Sequence, residues 1–323
     1  MKKGLIFGKF MPFHKGHMAL VEFALSTCEC VIVSMSYTPE DPIPAEIRFQ
    51  WLSQIFEDHP RVELFQALDD FPDENLSLFE ATRLWATFIH QTFPEIEGVF
   101  CSEAYGVPLA QHLQLPVVFF DPDRVQVPVS ATAIRKHPCQ HWEFIPEVVR
   151  PYFVKKICLY GPESVGKTVL SRQLAEHFQT AVVHEVAREM LTSNVFDVTK
   201  IIEIGRLQTE LVKQRAREAN KVLFCDTDLI TTQIYSRQYF DFVPTELRDF
   251  EKEITYDLYF LLNIDTPWVA DSLRDFGHRR AEMFAVFKGE LEKRRIPFLL
   301  LEGNWDERFA KAKKEVEKML RSA

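Results

Sequence analysis

Short apolar runs recur along the chain, each separated from the next by a longer stretch in which apolar residues return every three or four positions. This alternation constrains the fold more than any other feature, because it marks βαβ units and a mostly parallel sheet. In the first half the predicted strands are Leu5 to Phe7, Val31 to Met35, Val62 to Phe65, Val99 to Cys101 and Val117 to Phe120. Amphipathic stretches at Met18 to Ser26, Ala45 to Phe56, Leu78 to Thr92 and Leu109 to Leu113 lie between or beside them. A second series begins at Lys156 to Tyr160 and continues through Ala181 to His184, Val222 to Cys225, Tyr259 to Ile264 and Phe298 to Leu301. Its predicted helices are Thr168 to Phe178, Val198 to Ala219, Thr231 to Tyr239, Arg280 to Arg294 and the charged stretch from Asp306. Pro146 and Pro151 interrupt the pattern between the two series, and a length of 323 residues suits two domains, 1–150 and 151–323.

The formal net charge of −9 argues against duplex DNA as a partner, since neutralising phosphates is the main source of such affinity. No stretch is long and apolar enough to span a bilayer and no cleavable signal pattern opens the chain, so a cytoplasmic protein is expected. The six cysteines lie mostly inside apolar runs, where a free thiol behaves as a small hydrophobe, and no disulfide framework is expected. His137, Cys139 and His141 cluster in sequence but fall short of the four ligands that zinc normally takes.

Phosphate recognition must therefore be local, and two segments are built for it. Gly161-Pro-Glu163-Ser164-Val165-Gly166-Lys167-Thr168 satisfies the P-loop pattern and sits between an apolar strand and a helix. In that setting backbone N–H groups surround ATP phosphates, Lys167 reaches the β and γ phosphates, and the Thr168 hydroxyl ligates Mg2+. The strand ending at Cys225 delivers Asp226-Thr-Asp228 to the same edge. One aspartate suits the metal, with Asp226 the candidate ligand, and the other suits an acceptor hydroxyl. Chain order does not assign these roles, and Asp228 also reads as a helix N-cap before Leu229. Glu185 and Arg188 are placed to line an acceptor pocket, or to form an i, i+3 surface pair. Arg274, Arg279 and Arg280 bracket Phe276-Gly277-His278 as a mobile cover for the moving phosphoryl group, or as a solvated basic turn.

The first domain carries Gly8-Lys9-Phe10-Met-Pro-Phe-His14-Lys-Gly-His17 after its opening strand. Two histidines three apart at a helix N-terminus can donate ring N–H bonds to phosphate oxygens where the helix dipole already favours negative charge. Downstream, Ser130-Ala-Thr132-Ala-Ile-Arg135 offers an N-cap and, one turn later, an arginine facing the same anion. These groups suit adenylyl transfer without a covalent intermediate: His14, His17, Lys9 and Arg135 would stabilise charge moving onto pyrophosphate.

The motifs together resemble the NadR-type family of bifunctional nicotinamide mononucleotide adenylyltransferases and ribosylnicotinamide kinases. The resemblance spans nearly the whole chain and rests on the HxGH segment, Ser102-Glu103, Asp121-Pro-Asp-Arg124, Ser130 to Arg135, Tyr152-Phe153, the P-loop, Asp226-Thr-Asp228 with Thr231-Thr232, and Thr266-Pro-Trp-Val-Ala-Asp-Ser-Leu-Arg274. It implies an α/β protein of two parallel-sheet domains, a Rossmann-like HxGH nucleotidylyltransferase followed by a P-loop kinase. It further implies phosphorylation of nicotinamide riboside by ATP and joining of the resulting mononucleotide to AMP, giving NAD. By family likeness Trp268 and Asp271 would lie near the nucleoside, and Glu103 in the nicotinamide pocket of the first domain. Trp85 and Tyr105 are looser candidates there, since large aromatics in helices are usually core. Relatives with a DNA-reading segment before the first strand also exist; here that strand starts at the chain start, so nucleic-acid binding is not expected. The same scaffolds serve flavin and coenzyme A metabolism, and a nucleotide-sensing regulator would share the P-loop but lack an acceptor carboxylate and cover.

Overall fold

Each apolar run named above overlaps a strand of the computed structural model, which describes residues 1–71 and 76–323. Two units separate, Met1–Arg150 and Pro151–Ser322. In the first, β1 (Lys3–Gly8), β2 (Cys30–Tyr37), β3 (Val62–Leu68), β4 (Gly98–Cys101) and β5 (Val117–Phe119) form a parallel sheet of order β3-β2-β1-β4-β5. In the second, β6 (Lys155–Tyr160), β7 (Val182–Val183), β8 (Val222–Asp226), β9 (Leu258–Leu262) and β10 (Phe298–Leu301) form a parallel sheet of order β10-β9-β6-β8-β7.

Both opening strands are central, and both read as continuous apolar runs for the same reason. Ile6 packs into one core cluster with Phe13, Val33 and Phe100, while Leu5 and Phe7 pack into another with Ile32, Trp85 and Val99 on the opposite face. Ile157 and Leu159 likewise face Leu170, Phe224 and Phe260, whereas Cys158 and Tyr160 face Ile230, Tyr259 and Phe287. A strand covered by helices on both faces has no polar side to show. After each central strand the chain order reverses across the sheet, so a crevice opens beyond the carboxyl ends: between β1 and β4 in one unit, and between β6 and its neighbours in the other.

The helices follow the predicted stretches with shifts at their ends. The first begins at Lys15 rather than Met18, because the His14 side chain accepts the Gly16 N–H as an N-cap. Leu229–Phe240 begins two residues before the predicted Thr231 because Asp228 caps it. Thr245–Glu253 was not anticipated: it is charged along most of its length, and Leu247 is the one residue it buries.

Two arginines are fully buried, one in each unit, and each fixes the loop that follows the central strand. Arg48 donates to the carbonyls of Ile43 at 2.9 Å, Ser36 at 3.2 Å and Lys9 at 2.5 Å, and pairs with Asp41 at 2.7 Å. Arg308 donates to the carbonyls of Gly303 at 3.0 Å, Val165 at 2.9 Å and Asn263 at 3.0 Å, and pairs with Asp265. Removing a donor that serves several buried acceptors leaves all of them unsatisfied. Arg308→Met is therefore expected to destabilise its unit by about 3–5 kcal/mol, seen as a lower denaturant midpoint. The exposed control Lys288→Ala should stay within about 0.5 kcal/mol of the parent.

Candidate active sites

In the first unit a cavity of about 490 Å³ lies over the β1–β4 crevice and is lined by Gly8, Lys9, Phe10, His14, His17, Glu103 and Arg135, among others. The two imidazoles stack with centroids 3.7 Å apart. Their protonation follows from their backbone partners. His14 Nδ1 accepts the Gly16 N–H at 3.1 Å, and His17 Nδ1 accepts the His14 N–H at 3.3 Å. An acceptor nitrogen carries no proton, so each neutral ring holds its proton on Nε2, the nitrogen left to donate. Burial, with the Arg124 charge, lowers the His14 pKa to about 3, and burial together with His14 and Arg124 holds His17 well below the ordinary range.

Around them the loop is braced from several sides. Phe10 adopts φ 47° and sets its ring edge-on to His17, with centroids 5.1 Å apart. Lys9 pairs with Asp41 at 3.2 Å, the carboxylate that also holds Arg48. Arg135 donates to the Met11 carbonyl and to Thr132 Oγ1 at 3.1 Å. One expectation changes here. Ser130 and Thr132 do not line the cavity, since the Ser130 hydroxyl accepts the Ala133 N–H as a helix cap and the Thr132 hydroxyl serves Arg135. Trp85 and Tyr105, the looser candidates for this pocket, line it: Trp85 packs on Phe7 with centroids 4.4 Å apart, and the Tyr105 hydroxyl donates to the Phe7 carbonyl. Sequence reasoning gave Arg124 no role of its own. It lines the cavity, pairs with Glu103 at 3.1 Å, and is presented by a turn in which Asp121 accepts the N–H groups of Val125, Gln126 and Val127.

In the second unit the loop from Gly161 to Lys167 leaves β6 and opens the helix Lys167–His177. Gly166 is obligatory: its φ is 91°, and a Cβ there would stand 2.2 Å from the Trp305 ring. Val165 is fully buried, so it can offer a phosphate only its backbone. Lys167 Nζ donates to the Gly161 and Pro162 carbonyls at 2.8 and 2.9 Å. Thr168 Oγ1 donates to Asp226 Oδ2 at 2.5 Å, and Asp226 Oδ1 is buried without a partner. Burial and the neighbouring Glu185 charge push the Asp226 carboxyl up to about 6. A hydroxyl and a carboxylate with an orphaned oxygen form a hard, oxygen-only donor set that fits Mg2+.

Beside this loop runs a narrower cleft, about 90 Å³, lined by Glu163, Lys167, Glu185, Arg188, Thr227, Tyr235 and Tyr239 and reached by Leu273 from the segment between Thr266 and Arg280. That segment holds the P-loop directly. The Val269 N–H donates to Ser164 Oγ at 2.8 Å, Arg280 donates to the Ser164 carbonyl at 3.2 Å, and the Phe276 N–H donates to Glu163 at 3.3 Å.

Four sequence expectations in this unit are corrected by the geometry. Asp228 is structural: one oxygen accepts the Thr231 N–H and hydroxyl, both at 2.9 Å, the other accepts the Tyr259 hydroxyl at 2.9 Å, and it does not line the cleft. Trp268 lies outside the cleft, against Gly277 and 6.0 Å from the Arg280 guanidinium. Asp271 is exposed at the rim, where it pairs with Arg188 at 3.1 Å and Arg274 at 2.9 Å, and Arg274 also donates to the Val269 carbonyl instead of facing the P-loop.

A family model described as an AAA domain matches residues 156–308. Over 346 residues the chain is 28% identical to the "Trifunctional NAD biosynthesis/regulator protein NadR" of Escherichia coli (strain K12), covering 98% of this chain and 83% of that protein. It is 27% identical over 165 residues to a nicotinamide-nucleotide adenylyltransferase of Thermococcus kodakarensis, covering 49% of this chain and 84% of that protein. The crystal structure of NadR protein in complex with NAD and AMP-PNP has the same fold, with a TM-score of 0.82 at 22% identity over 100% of this chain and 97% of that one.

Two outcomes follow from the site geometry. Because His14 is neutral when folded down to about pH 3, the unfolded chain takes up its proton first as pH falls below the ordinary histidine value. Stability from this group is complete above about pH 6.5 and declines below it, by about 2 kcal/mol at pH 5. Denaturant unfolding at pH 7.5 and 5.0 should show this loss, and His14→Asn should reduce it. In the second unit Asp228→Ala is expected to lower the melting temperature, whereas Asp226→Asn should lower phosphoryl transfer about 10²-fold or more with little change in melting.

Proposed function

We propose that this chain, a homologue of the NadR proteins over 98% of its length, is a bifunctional enzyme of NAD biosynthesis. Its second unit phosphorylates nicotinamide riboside with ATP, and its first unit transfers the adenylyl group of a second ATP to nicotinamide mononucleotide, releasing pyrophosphate and NAD. One observation carries the reading: two separate anion cradles, each at the carboxyl end of a central parallel strand, each with a different donor chemistry.

In the first unit the phosphate of the mononucleotide attacks the α-phosphorus of ATP, and the bond to pyrophosphate breaks. The Nε2–H groups of His14 and His17 donate to the phosphate oxygens, where neutral donors fixed by backbone bonds need no reorganisation as charge builds. Lys9, Arg124 and Arg135 supply positive charge for the leaving pyrophosphate, and Trp85 and Tyr105 form the flat wall suited to the pyridine ring.

In the second unit the 5′-hydroxyl of the riboside attacks the γ-phosphorus of ATP, the bond from that phosphorus to the β–γ bridging oxygen breaks, and ADP leaves. Lys167 and the N–H groups of the loop hold the phosphates. Glu185, beside Asp226 and oriented by Arg188 at 3.1 Å, takes the hydroxyl proton, since Asp228 is turned away to cap its helix. Thr168 and Asp226 would hold Mg2+, which neutralises phosphate charge when bound. The excess of acid over base in the chain, a formal −9, supports a reading without a nucleic-acid partner.

Separate cradles predict separable losses. Lys167→Ala is expected to lower riboside phosphorylation by about 10²-fold or more and to spare adenylyl transfer, and His17→Ala to do the reverse. Assays with nicotinamide riboside and its mononucleotide, against flavin mononucleotide and pantetheine phosphate as rival acceptors, check both. Loss of both activities from either change in a folded protein, or turnover of only a rival acceptor, refutes the reading.

A further inference from the structure

The base of nicotinamide riboside is a flat ring with a full positive charge, and the charges of the second unit's cleft are distributed in a way that bears on it. This step rests on the functional reading above. Lys167 is committed to the phosphate loop, and Arg188 lies between two carboxylates, Glu185 and Asp271, each at 3.1 Å. Of the two cleft-lining carboxylates, Glu185 is therefore paired. Glu163 is in no ion pair among the described residues; it accepts a hydrogen bond from the Phe276 N–H at 3.3 Å. Burial, foremost, pushes its carboxyl above the usual range against the opposing pull of the Phe276 N–H and the Lys167 charge, with Asp275 and Glu185 adding to the rise.

Three aromatic rings share the cleft with it. Phe196 and Tyr239 lie with centroids 5.1 Å apart, and Tyr235 and Tyr239 are stacked at 6.4 Å. The Tyr239 hydroxyl donates to Asp275 at 3.2 Å, so a further carboxylate stands behind that ring. Ring faces attract cations, and a carboxylate drawn out of water without an ion-pair partner attracts them over several ångströms. Glu163 is also the third residue of the phosphate loop. The loop's backbone serves ATP, while this side chain turns to the acceptor cleft and to the segment that covers it.

We infer that Glu163 is a specificity-determining residue, selecting a nucleoside whose base is a flat cation over one whose base has the same outline without the charge. Nicotinamide riboside and its reduced dihydro form are the matched pair, since they share ribose and carboxamide and differ in ring charge. The measurement is kcat/KM for phosphorylation of each by the full chain with ATP. The parent enzyme should prefer the oxidised cation. Glu163→Gln should lower the ratio of kcat/KM for the cation to kcat/KM for the reduced riboside by roughly tenfold or more, mainly through KM for the cation. Glu163→Asp, which keeps the charge, should retain the preference.

Equal use of the two ribosides by the parent enzyme overturns the inference without any variant. So does a Glu163→Gln enzyme that loses both substrates equally, as a structural or phosphate-binding role would produce, or one that keeps the parent ratio. A parent enzyme that phosphorylates neither riboside refutes the functional reading itself, a result distinct from phosphorylation without selectivity.

Discussion

The two anion cradles depend on what is done with the carbonyls behind them. A loop that turns its N–H groups outward to phosphate turns carbonyls inward, where an acceptor without a donor costs about 1–3 kcal/mol each. Arg48 and Arg308 answer this in the same way. Each is fully buried, each serves three carbonyls drawn from separate segments, and each is neutralised by one aspartate. A guanidinium suits the task because it carries five donors in a fixed plane. The segments so joined are the phosphate loop, the end of a neighbouring strand and a following turn: Lys9, Ser36 and Ile43 in one unit, Val165, Asn263 and Gly303 in the other.

On these matched frames the chemistry diverges. The first cavity is rich in donors: two imidazoles locked as Nε2–H donors, with Lys9, Arg124 and Arg135 around them. That set suits an anionic acceptor attacking an anionic donor, where every reacting oxygen carries negative charge. The second cleft places Glu163 and Glu185 beside a single phosphate-directed lysine and a doubly paired arginine, and Asp226 lies adjacent. Carboxylates suit a neutral hydroxyl that must lose a proton and a base that arrives positively charged.

The central strands and both loops were legible in the sequence because their signals are local. A strand buried on both faces is apolar throughout, and a phosphate loop is a contiguous run between strand and helix. The braces were not legible, because Arg48, Arg308 and Arg124 act on residues distant in sequence and look like ordinary charged positions in helices and turns. The roles of Asp226 and Asp228 were not separable by order. Thr227, at φ 84°, turns the chain between them, so the first carboxylate meets Thr168 and the second folds back to cap its own helix and meet Tyr259. Trp268 was placed beside the nucleoside on likeness alone. The segment that carries it has no periodicity to read, and its course is set by contacts to Ser164 and Gly277.

That segment also bounds the cleft of about 90 Å³. Leu273 reaches over the cleft, and the segment is fastened through Asp271 to Arg188 and through Val269, Phe276 and Arg280 to the phosphate loop. Asp271 is exposed, and exposed ion pairs of this kind contribute about 0–1 kcal/mol. The backbone hydrogen bonds at the segment's other end add about 1 kcal/mol each. Phe276 anchors the segment further, its ring lying against Tyr235 and Tyr239, and the Tyr239 hydroxyl donates to Asp275 at 3.2 Å. Because the fastenings end on Ser164 and Glu163 at one side and Arg188 at the other, the segment ties the phosphate loop to the far wall of the cleft.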